Sequence, residues 1–98
     1  MRVVWLDSAL NDAEGIADYI AQHNPAAAAR FLERLFAATD RLADHSEMGR
    51  QGRVEETREL IVLDGRYIVA YHIAGRDIEI WAARDARQRW PDSFPRPS

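Results

Sequence analysis

The chain of 98 residues contains no cysteine. Without thiols it can form neither a disulfide framework nor a thiolate metal site or nucleophile, and we expect it to work in a reducing cytoplasm. Apolar runs such as Ala26–Ala29 are far shorter than the roughly 18 residues that span a bilayer, so no membrane anchor is predicted. The apolar start, Val3–Leu6, meets Asp7 too soon to be the core of a signal peptide.

Lysine is also missing, so all 13 basic residues are arginines, and they stand against 16 acidic residues for a net charge of −3. A net acidic chain is a poor general binder of nucleic acid, because nonspecific affinity comes from neutralising phosphates. We therefore expect no direct sequence-specific binding of nucleic acid. Residues 1–48 hold four arginines and eight acids, whereas residues 49–98 hold nine arginines and eight acids, so a local basic patch is still possible.

The composition predicts a single folded domain. Hydrophobic residues make up 47% of the chain and charged residues 30%, which is typical of a globular domain and not of a disordered chain. The length allows one domain and excludes a second of ordinary size. We place this domain at residues 1–91 and expect residues 92–98, which include Pro95 and Pro97, to form an irregular tail.

The first half of the sequence predicts one strand and two helices. Val3–Leu6 is a short β-favouring run, and either Asp7 or Ser8 is placed to cap the helix that follows. Asn24 and Pro25 read as the cap and first-turn proline of a second helix. Since about two residues join the helices, they should form an antiparallel hairpin.

The second half predicts a loop over residues 45–57 and then three strands, near residues 60–63, 67–73 and 78–83. Asp64-Gly65 between the first two of these strands is a strong signal for a tight hairpin turn. The order strand, helix, helix, three strands indicates an α+β domain. We expect a twisted antiparallel sheet packed on the N-terminal helical hairpin.

The usual motifs of catalysis and cofactor binding are not found. No nucleophile elbow, zinc-binding His-Glu-x-x-His pair or phosphate loop occurs, so we predict no catalytic residue, no metal and no cofactor. His72 reads as a strand residue on the less buried face, with general acid–base chemistry as the alternative. Trp81 alternates away from Ile78 and Ile80, so it meets either a second layer of structure or a ligand.

Arginine is the informative residue type. We expect the two groups that flank the predicted strands to converge at one end of the sheet, where they could hold phosphates or carboxylates. The alternative is that neighbouring acids, Glu59 and Asp85 among them, neutralise the cluster locally. The arginines in question are Arg50, Arg53 and Arg58 on one side and Arg84, Arg87 and Arg89 on the other.

Several short motifs, taken in order, resemble the ParE branch of the RelE/ParE toxin superfamily over about residues 3–91. They are Asn24-Pro25-Ala26-Ala27, Gly49-Arg50, Thr57-Arg58-Glu59-Leu60, Tyr67-Ile68-Val69-Ala70-Tyr71 and Arg87-Gln88-Arg89-Trp90-Pro91. The resemblance implies a toxin of a type II toxin–antitoxin pair, held in a hetero-oligomer by a ParD-like antitoxin with an acidic C-terminal segment. For ParE-like members it implies DNA gyrase as the poisoned target, and for RelE-like members cleavage of mRNA on the ribosome.

The residues favour the gyrase branch. RelE-type nucleases place an arginine directly after the tyrosine that resembles Tyr67, where this chain has Ile68, and carry a C-terminal tyrosine or histidine where it has Trp90. An indole has no acid–base chemistry at neutral pH. We therefore expect a noncatalytic inhibitor, with a RelE-type endoribonuclease, or a binding module that has lost toxicity, as alternatives.

Two sets of contact residues follow from this hypothesis. The antitoxin is expected to use the apolar surface of the hairpin together with arginines near the sheet, because antitoxin tails are commonly acidic. The expected antitoxin contacts are Phe31, Leu35, Arg58 and Arg84, and the expected target contacts are Arg50, Arg53, Arg87 and Trp90.

Overall fold

The computed structural model describes residues 1–91, 93 and 94. Two helices are followed by a short 3-10 turn, Arg41–Ala43, and strands flank them on both sides in the sequence. The elements are β1 (Arg2–Trp5), α1 (Asp7–Ala21), α2 (Pro25–Asp40), β2 (Arg50–Gln51), β3 (Arg58–Val62), β4 (Tyr67–Ala74) and β5 (Asp77–Asp85).

The strands form one sheet in the order β1-β5-β4-β3-β2. Three of the strand pairs are antiparallel: β2 with β3, β3 with β4, and β4 with β5. The fourth pair is parallel, since β1 runs parallel to β5, with Arg2 opposite Asp77 and Trp5 opposite Ile80. The α+β class is confirmed. The expected sheet was purely antiparallel, but the observed sheet is mixed. The reason is that the helical hairpin carries the chain from β1 over one face before the meander begins.

The start of α2 and the turn before β4 follow the predictions. The Asn24 side chain accepts a hydrogen bond from the Ala27 amide at 3.1 Å, with Pro25 as the first helical residue. Asp64 and Gly65 have φ values of 58° and 85°, as a tight primed turn requires, and the Arg66 amide donates to the Leu63 carbonyl across it. These local signals needed no tertiary information.

The start of α1 differs from the prediction. Its N-cap residue is Leu6, and neither Asp7 nor Ser8 caps the helix. The Ser8 hydroxyl instead donates to the Trp81 carbonyl at 3.1 Å, and the Asp12 carboxylate accepts from the Ala83 amide at 3.0 Å. Both side chains therefore attach α1 to β5 and do not complete the helix terminus.

Two hydrophobic cores lie on opposite faces of the sheet. The larger core packs the helical hairpin against residues such as Leu60 and Ile80. On the far face a smaller core contains Val54, Ala70, Trp81, Ala82 and Phe94, with Leu6 and Trp90 packed against it. Trp81 thus meets a second layer of structure, which the chain itself supplies.

A β-bulge makes this second core possible. The register of β4 and β5 shifts between Ala70 opposite Ala82 and Tyr71 opposite Ile80, which leaves Trp81 as the extra residue. Trp81 and Ala82 consequently both contribute to the far-face core. Strict alternation would have placed them on opposite faces.

The predicted loop is more structured than expected, and one residue of the predicted tail is buried. Two residues of the loop pair with β3 as strand β2. In the predicted tail, Phe94 is buried in the far-face core, and residues 92 and 95–98 lie outside the described residues. In the part of the chain that the structure describes, no helix has the length and apolar character needed to cross a membrane.

Candidate functional site

A buried carboxylate organises the arginines of the loop before β3. Glu59 is 2% exposed and lies on the far face of the sheet, because its neighbour Leu60 points into the larger core. Its Oε1 accepts from Arg50 Nε at 3.2 Å and Nη2 at 2.9 Å. Its Oε2 accepts from the Arg53 amide at 2.9 Å and Arg53 Nε at 3.1 Å. One carboxylate therefore fixes two guanidinium groups and one loop amide.

The charge state of Glu59 follows from these contacts. Burial alone would raise the pKa of the Glu59 carboxyl, but the Arg53 amide and the two guanidinium groups outweigh burial and lower the pKa below its usual value. Glu59 is therefore ionised at neutral pH. Together with Arg50 and Arg53 it forms a charge-assisted cluster, which we call the Glu59 cluster.

The Glu59 cluster continues into the C-terminal segment. The Arg53 guanidinium lies 4.6 Å from the centre of the Trp90 ring, a cation–π distance. Trp90 packs edge to face on Phe94 at 5.7 Å, and the Arg84 guanidinium lies 5.7 Å from the centre of the Phe94 ring. The result is a row of Arg53, Trp90, Phe94 and Arg84 over the far face.

The strand register places Arg58 and Arg84 at different levels of the sheet. Arg58 lies opposite Tyr71, whereas Arg84 lies opposite Ile68. The expectation that strand ends alone bring the two arginine groups together is wrong, because the start of the first strand and the end of the third strand of a meander lie at opposite ends. The aromatic pair, Trp90 and Phe94, links Arg53 with Arg84 instead.

Arg58 and Arg84 each have a partner within the chain. Arg58 Nη1 donates to the Gly49 carbonyl at 2.8 Å, and its Nη2 lies 3.9 Å from the Glu47 carboxylate. Arg84 Nε lies 3.5 Å from the Asp12 carboxylate, although without hydrogen-bond geometry, and this atom is buried. Both residues therefore contribute to the packing of the chain itself.

Arg87 stands apart from the Glu59 cluster. Its amide and its guanidinium group donate to the Asp85 carboxylate at 2.8 to 3.2 Å, and its side chain is 82% exposed. These hydrogen bonds lower the pKa of Asp85 to about 2. Of the predicted target contacts, the structure thus groups Arg50, Arg53 and Trp90, while Arg87 lies at the end of β5.

The two apolar residues predicted to meet the antitoxin lie in the larger core. Leu35 is fully buried and Phe31 is 4% exposed, with its ring 5.0 Å from that of Tyr67. In this structure they offer a partner almost no surface. The helical periodicity that singled them out reports burial, and it does not distinguish burial in the core from burial in a complex.

A groove of about 410 Å³ lies beside Phe31, between the start of α2 and the turn before β4. Its floor is apolar, and its rim carries three arginines against one acid, Asp64. Arg34 lies 3.6 Å from Asp64, with both side chains largely exposed. The lining residues are Ile20, Ala27, Arg30, Phe31, Arg34, Leu63, Asp64, Arg66 and Tyr67.

Glu59 was not among the site residues predicted from the sequence. It was expected to neutralise arginines at a solvated surface, but it is buried and binds two of them. Local neutralisation, the alternative that the sequence left open, is observed for Arg50, Arg53 and Arg87. A glutamate inside a β-favouring strand, six and nine residues after two arginines, is the signal that could have pointed to a buried ion pair.

The other group considered for chemistry, His72, makes contacts within the chain. His72 Nδ1 lies 2.7 Å from the Glu56 carbonyl oxygen, so Nδ1 carries the proton, because a carbonyl can only accept. The His72 ring lies 5.0 Å from the Trp81 ring. Within residues 1–91, 93 and 94, no three histidine, aspartate or glutamate side chains come together as a metal site would require.

Comparison with known proteins identifies the class of this fold. A chain of a solved structure, described as "Chromosomal ParDE TA system from P. aeruginosa", matches with a TM-score of 0.79 over 89% of this chain and 97% of that chain. The two sequences are 20% identical, so this likeness shows a shared fold. The fold is thus one found in a toxin–antitoxin system.

The family is shown by sequence. The family model described as "ParE toxin of type II toxin-antitoxin system, parDE" matches residues 3–90, and the chain therefore belongs to the ParE toxin family. "Putative toxin Y4kP" of Sinorhizobium fredii is 42% identical over 90 residues, covering 92% of this chain and 93% of that protein. "Toxin RelE2" of Caulobacter vibrioides is 40% identical over 85 residues, covering 87% and 94%. Family membership implies a cognate antitoxin as partner.

Proposed function

We propose that this toxin stops growth by binding and poisoning DNA gyrase, without cutting nucleic acid, and that its antitoxin reverses the effect. The observation that carries the proposal is the side chain after Tyr67, where RelE-type nucleases hold a phosphate-binding arginine. Here it is Ile68, which is 4% exposed and lies opposite Arg84 in the sheet. That position offers no charge to a scissile phosphate.

The remaining groups of the far face support binding over cleavage. The Trp90 ring lies under the Arg53 guanidinium, where a nuclease would need a group that can transfer a proton. Arg50 and Arg53 already hold the Glu59 carboxylate, which offsets part of their charge. Inhibition by binding requires contact surface alone, and we assign Arg50, Arg53 and Trp90 as its centre, with Arg87 as a separate contact.

The second candidate function is a ribosome-dependent endoribonuclease. It is favoured by the 40% identity to the protein named "Toxin RelE2". Arg84 and Arg87 would then grip the phosphates of the message. This candidate lacks the arginine after Tyr67 and a tyrosine or histidine at position 90.

The gyrase test uses purified toxin in a supercoiling assay with intact gyrase. Wild-type toxin should inhibit supercoiling and stabilise cleaved DNA, and purified antitoxin should restore activity. Arg50→Ala should weaken inhibition, whereas Arg76→Ala, the same change in the exposed turn between β4 and β5, should not. Undisturbed supercoiling at stoichiometric excess of toxin would refute the proposal, and codon-linked mRNA cleavage after induction would support the second candidate.

For the antitoxin we propose the groove beside Phe31. Its apolar floor fits the apolar face of an antitoxin segment, and the arginines of its rim, Arg30, Arg34 and Arg66, fit acidic side chains. The Arg58 and Arg84 side chains are 35% and 31% exposed, against 60% for Arg34, and are second choices.

A charge-reversal pair tests this placement. The double variant Arg34→Glu with Arg66→Glu should weaken antitoxin binding at least tenfold in isothermal calorimetry, because it turns the rim acidic. Arg76→Glu, at the other end of β4, is the matched control and should bind like wild type. Equal affinities of the double variant and the control would place the antitoxin elsewhere.

A further inference from the structure

The Glu59 cluster holds a charged side chain at an unusual depth. Among residues 1–91, 93 and 94, the buried polar or charged side chains outside the tyrosines are Thr39, Thr57 and Glu59, and Glu59 carries the charge. A buried carboxylate is costly unless it is paired, and a hydrophobic residue there would often serve stability as well. Its presence therefore calls for an explanation beyond stability.

We propose that Glu59 is a positioning residue, which holds the guanidinium groups of Arg50 and Arg53 in the orientation in which they contact the target. This inference rests on the proposed function, in which those arginines form the centre of the target surface. It assigns Glu59 no direct contact with the target, since the side chain is buried.

The hydrogen bonds divide each guanidinium into an inner and an outer edge. Arg50 and Arg53 both use Nε and Nη2 toward Glu59. No bond from Nη1 of either arginine occurs in the described part of the chain. The side chains are 52% and 46% exposed. The inner edges are thus tied to the sheet, and among the described residues nothing is hydrogen-bonded to the outer edges, which we expect to meet oxygen atoms of a partner.

Arg53 is fixed on three sides. Its own amide donates to Glu59, its guanidinium group donates to the same carboxylate, and its guanidinium carbon lies 4.6 Å from the centre of the Trp90 ring. The loop that carries it is closed by the Gly52 amide donating to the Thr57 carbonyl at 2.8 Å, and Val54 anchors it in the far-face core. An arginine that is already ordered loses less conformational entropy when it binds than a mobile one does.

Arginine suits this arrangement better than lysine would. Its planar group can bind one carboxylate through Nε and Nη2 and still present Nη1 to another oxygen, whereas an ammonium group is a point charge without such edges. The Glu59 cluster retains a net charge of about +1, from two arginines and one glutamate, so it still favours an anionic or oxygen-rich partner surface.

The experiment compares Glu59→Gln with Glu55→Gln, the same chemical change at an exposed position in the loop before β3. Growth arrest on induction, at matched protein levels, reports toxicity without assuming a target. Gyrase inhibition and antitoxin affinity are measured on purified proteins, and the NMR signals of the Arg50 and Arg53 Nε–H groups report whether the guanidinium groups stay fixed.

If Glu59 positions the arginines, the Glu59→Gln protein loses the two Nε–H signals that are protected from solvent exchange in wild type. It also inhibits gyrase at least tenfold less than wild type and no longer arrests growth. Its antitoxin affinity stays within threefold of wild type, which shows that the fold is intact, and Glu55→Gln behaves like wild type throughout. A folded Glu59→Gln protein with full toxicity would overturn the inference.

Two further measurements keep the failures apart. If Glu59→Gln does not fold, Arg53→Lys keeps the charge opposite Glu59 but removes the planar group, and full toxicity of that variant would overturn the inference. If wild-type toxin arrests growth without inhibiting gyrase, the proposed target is wrong. Loss of growth arrest in Glu59→Gln then supports the positioning role, and full growth arrest overturns it.

Discussion

The Tyr71 hydroxyl provides the sharpest test of how the loop before β2 is held. Tyr71 is fully buried, and its hydroxyl donates to the Ser46 carbonyl at 2.7 Å and accepts from the Gly49 amide at 2.9 Å. Burial raises the pKa of this phenol, so it remains neutral and keeps its proton for Ser46 at physiological pH. Tyr71→Phe removes both bonds and leaves the ring in place.

Each buried group left without a partner costs about 1–3 kcal/mol. Because the Ser46 bond is only partly buried and water can replace it in part, we expect Tyr71→Phe to lower the free energy of unfolding by about 2–3 kcal/mol. For a domain of this size, each kcal/mol shifts the midpoint of thermal unfolding by about 4–8 °C, so the midpoint should fall by at least about 8 °C.

Circular dichroism during heating measures this midpoint, and urea unfolding measures the free energy independently. Tyr19→Phe is the matched control, because the Tyr19 side chain is 67% exposed and the same hydroxyl is lost to water. The control should change stability by less than about 0.5 kcal/mol. A Tyr71→Phe midpoint within 2 °C of wild type would refute the view that this hydroxyl carries the loop.

Three further predictions concern packing and pH. Leu35→Ala should cost about 2–5 kcal/mol in urea unfolding, because the side chain is fully buried, and antitoxin affinity of the protein that remains folded should not change. Gly49→Ala should cost about 1–3 kcal/mol by the same measurement, since its Cβ would lie 2.7 Å from the Tyr71 ring. The Arg87 hydrogen bonds lower the pKa of Asp85 to about 2 in the folded state, below its ordinary 3.8, so their stabilising effect is present above pH 3.8 and is lost as the pH falls toward about 2. Arg87→Gln should move the Asp85 pKa back toward 3.8 in an NMR titration, and an unchanged value would contradict this.

The sequence predicted elements whose signals are local. Asn24 and Pro25 start α2, and Asp64 and Gly65 make the turn before β4, because a cap and a positive φ depend on the residue itself and its neighbours. The start of α1 was not predicted correctly. There the Ser8 hydroxyl donates to the backbone of β5, and that competing partner is 73 residues away in the sequence.

The arrangement of the sheet could not be predicted from local sequence signals. Periodicity predicts a strand but not its neighbour, so the parallel pairing of β1 with β5 could not be read from either strand. The bulge at Trp81 adds a residue to one strand, which alternation cannot reveal when both neighbours are apolar. The resemblance to ParE toxins supplied the fold independently of these details.

The candidate site was predicted in its composition but not in its arrangement. The sequence singled out Arg50, Arg53 and Trp90, and the structure brings them together. It could not show that Glu59 lies beneath them, since a charged residue in a strand is normally exposed. The same limit affected Phe31, whose apolar character predicted burial but not against which partner.

The pairing of β1 with β5 joins the two ends of the domain, since Arg2 and Asp77 are bonded across 75 positions of the sequence. During translation the first strand leaves the exit tunnel long before its neighbour is made, and the sheet closes only when synthesis is nearly finished. A nascent or truncated chain that stops before β5 therefore cannot complete this sheet. The folded surface that a cognate antitoxin would meet thus exists only once nearly all of the chain has been made.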